Sequence, residues 1–179
     1  EDSESLEFAS NLVFHINEGQ KLKLNKITFK GNTKIDDWRM KKIFKNNKEW
    51  KWYLPWRGKF KDEDIENDNL LLVSYFKNKG HKDFFIQDYY SDIDENSIEL
   101  IYNIYEGPKY IYRDISWSGN DIVSDLELNE AFNIDRGEIF NLNKFNISLY
   151  QNVYALYLDK GYINSFIEHN FQHSESDSI

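Results

Sequence analysis

Ile104-Tyr105-Glu106-Gly107-Pro108-Lys109 restates, in residue type and spacing, Ile16-Asn17-Glu18-Gly19-Gln20-Lys21 from the start of the same chain. The same shift of 88 positions (104 − 16) carries Ile27, Phe29, Gly31 and Asn32 onto Ile115, Trp117, Gly119 and Asn120. Further along, Gly80-His81 and Phe85-Ile86-Gln87 meet Gly161-Tyr162 and Phe166-Ile167-Glu168 at a shift of 81. The chain is thus a tandem repeat, with about seven extra residues (88 − 81) in the first copy. They fall between Asn46 and Lys59, where Trp50, Trp52, Tyr53, Pro55, Trp56 and Gly58 have no counterpart in the short Asn133–Gly137 connection of the second copy.

Each copy reads as the same series of elements. Leu22 and Leu24 alternate, as do Ile27 and Phe29, but the parity changes between the pairs; Tyr110, Tyr112, Ile115 and Trp117 do likewise. One strand with a single register shift, a bulge or an extended lead-in, accounts for this. Gly31-Asn32 and Gly119-Asn120 supply the turn that follows. Asp36 and Ser124 stand at helix N-cap positions, with Ile35 paired to Met40 and Val123 to Leu128 as hydrophobic staples. Ser124 and Glu127 add a capping box that Arg39 denies the first copy, so the second copy's helix start is expected to be the better defined. A second helix is predicted from about Asp62 to Lys79 and from about Leu142 to Lys160, closed by Gly80 and Gly161 in the left-handed C′ position. Two strands, Asp83 to Asp92 and Ser97 to Glu106, complete a βααββ unit. The last carries apolar residues on both faces, as a central strand does.

Leu12, Phe14 and Ile16 match Leu100, Tyr102 and Ile104. Residues 1–18 therefore read as the final strand of a preceding module, residues 19–106 as a full module with the Trp-rich insertion, and residues 107–179 as a second module without its last strand. The expectation is of a segment cut from a longer array.

A βααββ unit whose last strand ends in Tyr105-Glu106-Gly107, whose next strand closes on Trp117-Ser118-Gly119-Asn120, and whose second helix ends in Tyr157-Leu-Asp-Lys-Gly161-Tyr162 resembles the POTRA (polypeptide-transport-associated) domain. The first copy offers Phe29-Lys-Gly31-Asn32 and Phe76-Lys-Asn-Lys-Gly80-His81. No single motif is specific, but in this order, twice, they cover nearly all of residues 6 to 172. His81 in place of an aromatic residue, and Pro108 after Glu-Gly, depart from the pattern. The resemblance implies an α+β fold, each module a three-stranded mixed sheet covered on one face by two helices. It also implies the periplasmic arm of an outer-membrane barrel protein of the assembly-factor type. The Trp-rich loop is similar to that of a third module in Bacteroidetes versions, making the second copy a fourth. Two-partner secretion and TamA-type transporters carry such arms as well.

Composition narrows the chemistry. Twenty-two basic against 31 acidic residues give a formal charge of −9, which repels a phosphate backbone. The lysines at 41, 42, 45, 48, 51, 59 and 61, with Arg57, read as a solvated face; a small α/β nucleic-acid module, the reading from a different class, would need them as a binding face. Without cysteine there is neither a disulfide nor a thiolate metal site. No apolar run approaches the ~18 residues of a membrane span, and Glu1-Asp-Ser-Glu-Ser5 lacks the features of a signal peptide, so a soluble piece is expected. His169 and His173, on one side of a strand about 13 Å apart, are too distant for one ion. Asp36-Asp37 and Asp62-Glu63-Asp64 sit at helix starts, where negative charge is favourable in any case.

Neither a catalytic constellation nor a cofactor or metal site emerges, and the chain reads as a non-enzyme that binds by shape. A sheet with one covered face leaves an unpaired edge to which an extended client can add a strand. In POTRA domains that edge is the middle strand, which implies Asp83 to Tyr90 and Asn164 to Phe171. Candidate docking residues are Phe84, Phe85, Ile86 and Gln87, and Ser165, Phe166, Ile167 and Glu168. Trp50, Trp52, Tyr53 and Trp56 are candidates for a partner or inter-module contact, since aromatics on a polar loop are costly to expose unless they meet something, a partner, the next module or their own. Gly19, Gly31, Asn32, Gly80, Gly107, Gly119, Asn120 and Gly161 are structural turns. The partners implied are unfolded outer-membrane proteins, accessory lipoproteins and a C-terminal barrel of the same polypeptide, with no nucleic acid.

Overall fold

A computed structural model describes residues 12–18 and 22–172. In the first repeat, β1 (Lys23–Lys30) leads through Gly31-Asn32 to α1 (Asp37–Ile43), then to α2 (Ile65–Asn78), entered by a 3₁₀ turn at Asp62–Asp64. The hairpin β2 (Phe85–Asp94) and β3 (Ser97–Tyr105) completes it. Sheet order is β1-β3-β2, parallel between β1 and β3 and antiparallel between β3 and β2. The parity change between Leu24 and Ile27 is a register shift at Leu24/Lys26. It leaves Leu24, Ile27 and Phe29 all buried.

β3 is central, and its alternate residues Ile98, Leu100, Tyr102 and Ile104 are buried against Met40, Phe44, Leu72 and Phe76 from the helical layer. Burying each large apolar side chain contributes roughly 1.5–3 kcal/mol. Tyr102 stacks between Phe29 and Tyr89, with ring centroids 5.4 and 5.5 Å away. Asp68, wholly buried in α2, accepts the backbone N–H groups of Lys45, Asn46 and Asn47 at 2.9, 3.3 and 2.9 Å. That bridge folds the end of α1 back onto α2.

In the second repeat, α3 (Asp125–Phe132) and α4 (residues 142–159) follow the same plan. α4 is one helix with a π-helical stretch at Ser148–Val153. Ser124 and Glu127 form the expected capping box. At the other helix start Asp36 has the cap backbone conformation, but its carboxylate takes the Trp38 indole N–H instead of a helix amide. Asn32 and Asn120 tie the two starts down identically, donating to Ile35 and Val123 carbonyls and to the Asp37 and Asp125 carboxylates.

The expected strands at 110–117 and 164–171 run without a ladder, apart from an isolated bridge between Ile111 and Ile139. The reason lies in the sheet order: β1 and β2 are joined only through β3, and among the described residues nothing lies between their counterparts. Residues 12–18 likewise join no ladder. Residues 1–11 and Gly19 lie outside the described residues.

Each repeat has its own core, the second built on Tyr110, Tyr112, Leu128, Phe140, Phe145 and Leu149 among others. Between the cores, Tyr110 N–H donates to the Gly80 carbonyl at 2.9 Å and Tyr110 Oη to Asp83 at 2.5 Å. Asn143 N–H and Asn141 Nδ2 bond to Asn78 at 2.9 and 3.2 Å. Buried His81 packs edge-on to Phe76, and its Nδ1 lies 3.2 Å from both the Glu106 and Gly107 carbonyls. Two acceptors at one nitrogen require that it carry the proton.

Candidate functional site

A three-stranded sheet has two edges, and here they differ. The insertion covers the outer side of β1 from Leu24 to Ile27: Leu24 N–H donates to the Gly58 carbonyl at 2.9 Å, Trp50 N–H to the Leu24 carbonyl at 2.7 Å, and Ile27 N–H to Glu49 Oε1 at 2.9 Å. Burial works to raise the Glu49 pKa, but the Lys41 ammonium at 2.8 Å, the Ile27 amide and Lys51 outweigh it and hold the carboxyl below its ordinary value. Glu49 therefore stays ionised and serves as a backbone acceptor at the edge. Gly58 makes this closure possible, because a Cβ there would come 2.4 Å from Trp50 Cβ.

The β2 edge is open. Among the described residues no backbone hydrogen bond reaches the outer side of Phe85–Asp94, and of its ten residues only Ile86 is less than exposed. Phe85 (49% exposed), Tyr89, Tyr90 and Ile93 offer apolar surface along it, while Asp88, Asp92 and Asp94 intervene. Like charges on an edge oppose pairing with a second identical edge while leaving it free for a different strand.

The sequence-derived docking residues divide accordingly. Phe85, Ile86 and Gln87 belong to β2, with a register shift at Ile86/Asp88. Phe84 does not: it is buried, stacked on Phe76 at 3.9 Å, because the chain is still leaving the α2 C-terminus there. The open strand also continues to Asp94, beyond the expected Tyr90. In the second repeat, Ser165, Phe166, Ile167 and Glu168 lie on an extended segment without a ladder. Phe166 is exposed, while Ile167 packs on the second core. This segment and residues 112–122 flank an open cleft of about 980 Å³ floored by Leu128, Phe132, Phe145 and Leu149.

The aromatic insertion divides too. Trp50 is half-buried with the Lys23 ammonium over its ring at 4.4 Å, whereas Trp52, Tyr53 and Trp56 are exposed. Sequence reasoning missed Glu106, whose buried carboxylate accepts Thr33 N–H, Thr33 Oγ1 and Lys34 N–H at 2.6, 3.1 and 2.9 Å. The repeated Glu-Gly pair was its signal: the Glu fastens the end of the central strand to the β1–α1 turn. Gly31 belongs to that same contact, since a Cβ on it would lie 2.1 Å from the Ile104 carbonyl oxygen. Among the described residues, no group of three or more His, Cys, Asp or Glu could hold a metal ion, and no helix is long and apolar enough to cross a membrane.

A family model described as "POTRA: Surface antigen variable number repeat" matches residues 22–107. A Treponema pallidum protein described as an outer membrane protein assembly factor is 28% identical over 160 residues, covering 86% of this chain and 19% of the relative. Outer membrane protein assembly factor BamA of Nitratidesulfovibrio vulgaris is 26% identical over 129 residues, covering 71% of the chain and 16% of that protein. The chain thus spans about a fifth of the length of the curated relatives it matches. Among solved structures, Haemophilus influenzae BamA POTRA3-5 aligns at TM-score 0.58 and 14% identity, covering 90% of this chain and 60% of that one. Haemophilus ducreyi BamA lacking POTRA domains 1–3 aligns at 0.63 and 13%, covering 88% and 27%. Residues 22–107 are therefore a POTRA domain, in a chain homologous to outer membrane protein assembly factors of the BamA type.

Proposed function

We propose that this chain is a non-enzymatic, periplasmic docking arm of the machinery that folds and inserts β-barrel proteins into the outer membrane, and that unfolded clients bind by adding a strand to β2. One observation carries the reading: the insertion covers the β1 edge from Leu24 to Ile27 and leaves β2 unpaired. Backbone hydrogen bonds at an open edge give affinity that depends little on client sequence, as handling many different precursors requires. Residues 19–106 and 107–179 are on this reading two consecutive modules, with residues 1–18 the last strand of a preceding one. A barrel elsewhere in the polypeptide and accessory lipoproteins would be the other partners. The segment 164–171 is the corresponding edge of the second module.

Amide chemical-shift mapping with unfolded barrel-derived peptides tests this. Perturbations are expected along Phe85–Asp94, retained when the peptide sequence is scrambled at constant composition and lost when alternate peptide nitrogens are methylated. No perturbation along β2, or full binding by the methylated peptide, would refute strand addition.

A further inference from the structure

The insertion that closes β1 at its root does something else at its tip. Gly58 N–H donates to the Lys48 carbonyl at 3.0 Å, closing an eleven-residue finger from Lys48 to Gly58. Within it two tight turns follow each other, Leu54 N–H donating to the Lys51 carbonyl and Arg57 N–H to the Leu54 carbonyl, both at 2.9 Å. Their central residues are Trp52-Tyr53 and Pro55-Trp56. The turns thus present three aromatic rings at their corners, with Trp52 80% and Trp56 68% exposed. Trp38 and Trp117 donate their indole N–H to Asp36 and Asn129; the N–H groups of Trp52 and Trp56 meet no acceptor among the described residues.

The charge around the finger is opposite to that of the protein. Residues 45–61 hold Lys45, Lys48, Lys51, Arg57, Lys59 and Lys61 against Glu49 alone, a net +5, which leaves −14 on the remainder of a chain of −9. Such a dipole orients the molecule toward a negative surface with the finger foremost.

We propose that this finger is a membrane-surface anchor, whose Trp52, Tyr53 and Trp56 rings enter the interfacial layer of an anionic lipid surface while the surrounding basic residues pair with headgroups. Amphipathic rings with one apolar body and one free N–H or O–H partition to that layer, and nearby Lys and Arg add attraction to anionic lipid. Together they supply the two signals that stable peripheral attachment requires. A lipid surface suits the finger better than a protein groove. A specific protein interface buries about 800 Å² per partner, whereas the finger is a short convex tip. The turn hydrogen bonds fix the tip beforehand, so little ordering entropy opposes insertion. The proposal is independent of strand addition at β2, which lies at the other edge of the sheet.

The test is co-sedimentation of the 179-residue chain with phosphatidylcholine vesicles, with and without phosphatidylglycerol, alongside quenching of tryptophan emission by brominated lipid. The expected result is binding to the anionic vesicles that weakens with added salt. In the Trp52→Ala/Trp56→Ala variant it should weaken by at least about tenfold, both signals having been needed. Since both rings are exposed, that variant should keep the wild-type unfolding midpoint. No binding to the anionic vesicles, or equal binding by wild type and variant, overturns the proposal. So does concentration-dependent self-association of the chain that the variant abolishes while vesicles bind neither protein, which would make the tip a protein contact.

Discussion

Gly80 and Gly161 end equivalent helices in the same way, and comparing Gly80→Ala with Gly161→Ala measures how firmly the two halves of the chain are joined. Both glycines are left-handed, with φ +103° and +87°. Both helices close alike, with His81 N–H donating to Phe76 and Tyr162 N–H to Tyr157 across the turn. The backbone cost of an alanine is therefore similar at each, about 1–3 kcal/mol for a non-glycine residue in that region, offset by about 0.4–1 kcal/mol from the stiffer unfolded chain. They differ in surroundings. A Cβ at Gly161 meets nothing within 4 Å, while one at Gly80 comes 2.8 Å from Lys109 Cγ and 2.9 Å from Ile139 Cγ2, both in the second repeat. Lys109 can swing aside, but Ile139 is branched, so the two halves must part slightly. Overpacking of this kind costs about 1–3 kcal/mol. Gly80→Ala should therefore destabilise by about 1–3 kcal/mol more than Gly161→Ala, measured by urea unfolding followed by far-UV circular dichroism. It should also broaden the distance distribution between spin labels placed on the two repeats, which Gly161→Ala leaves unchanged. Equal destabilisation with unchanged label distances would refute a tightly packed junction.

Asp68→Ala leaves the amides of Lys45, Asn46 and Asn47 without their acceptor, the last of them in a buried residue. Urea unfolding should show a loss of about 3–5 kcal/mol, from hydrogen bonds to a charged group worth about 1.5–3 kcal/mol each with partial relaxation. Glu49 predicts a pH dependence: its folded pKa lies below the unfolded value of 4.5, so its contribution is fully present above 4.5 and disappears as pH falls through the folded pKa. Plots of unfolding free energy against pH for wild type and Glu49→Gln should accordingly lie apart at neutral pH and converge in acid. Curves that stay parallel would show that the carboxylate is not holding the β1 edge.

How much of this was legible in the sequence depended on whether a feature is local. The parity change between Leu24 and Ile27 announced the register shift in β1, and Ser124 with Glu127 announced the capping box, because each involves residues within a few positions of one another. The glycines gave the helix ends for the same reason. Asp36 stands at the cap position its spacing indicated, but the spacing does not show that Trp38, two residues on, takes its carboxylate. Phe84 misled because its alternation with Ile86 does not reveal a ring of α2 waiting 3.9 Å away. The role of Asp68 lay beyond sequence reading, since its partners are more than 20 positions distant; the repeated Glu-Gly pair marked Glu106 but not its partners, more than 70 positions away. Strand pairing in the second repeat was equally hidden, because an apolar alternation specifies a face and not the presence of a neighbour.

The insertion bears on a question that the sheet alone leaves open. A β1-β3-β2 sheet has two outer strands, and an incoming strand could add to either. In the first repeat the seven or so extra residues bring Glu49, Trp50 and Gly58 against β1, where an amide, a carbonyl and a carboxylate occupy positions that another chain would need. Edge strands are ordinarily protected by charge, bulges or a covering loop, and here the two edges receive different protection. β1 has a register shift and a loop that covers it from Leu24 to Ile27, which oppose any partner there; β2 has Asp88, Asp92 and Asp94, which oppose its own kind. Side-chain charge remains compatible with a partner whose own residues are neutral or basic, whereas an occupied backbone is compatible with none. On the proposed reading that difference directs strand addition to β2, and it follows from the one stretch of sequence that the second copy lacks.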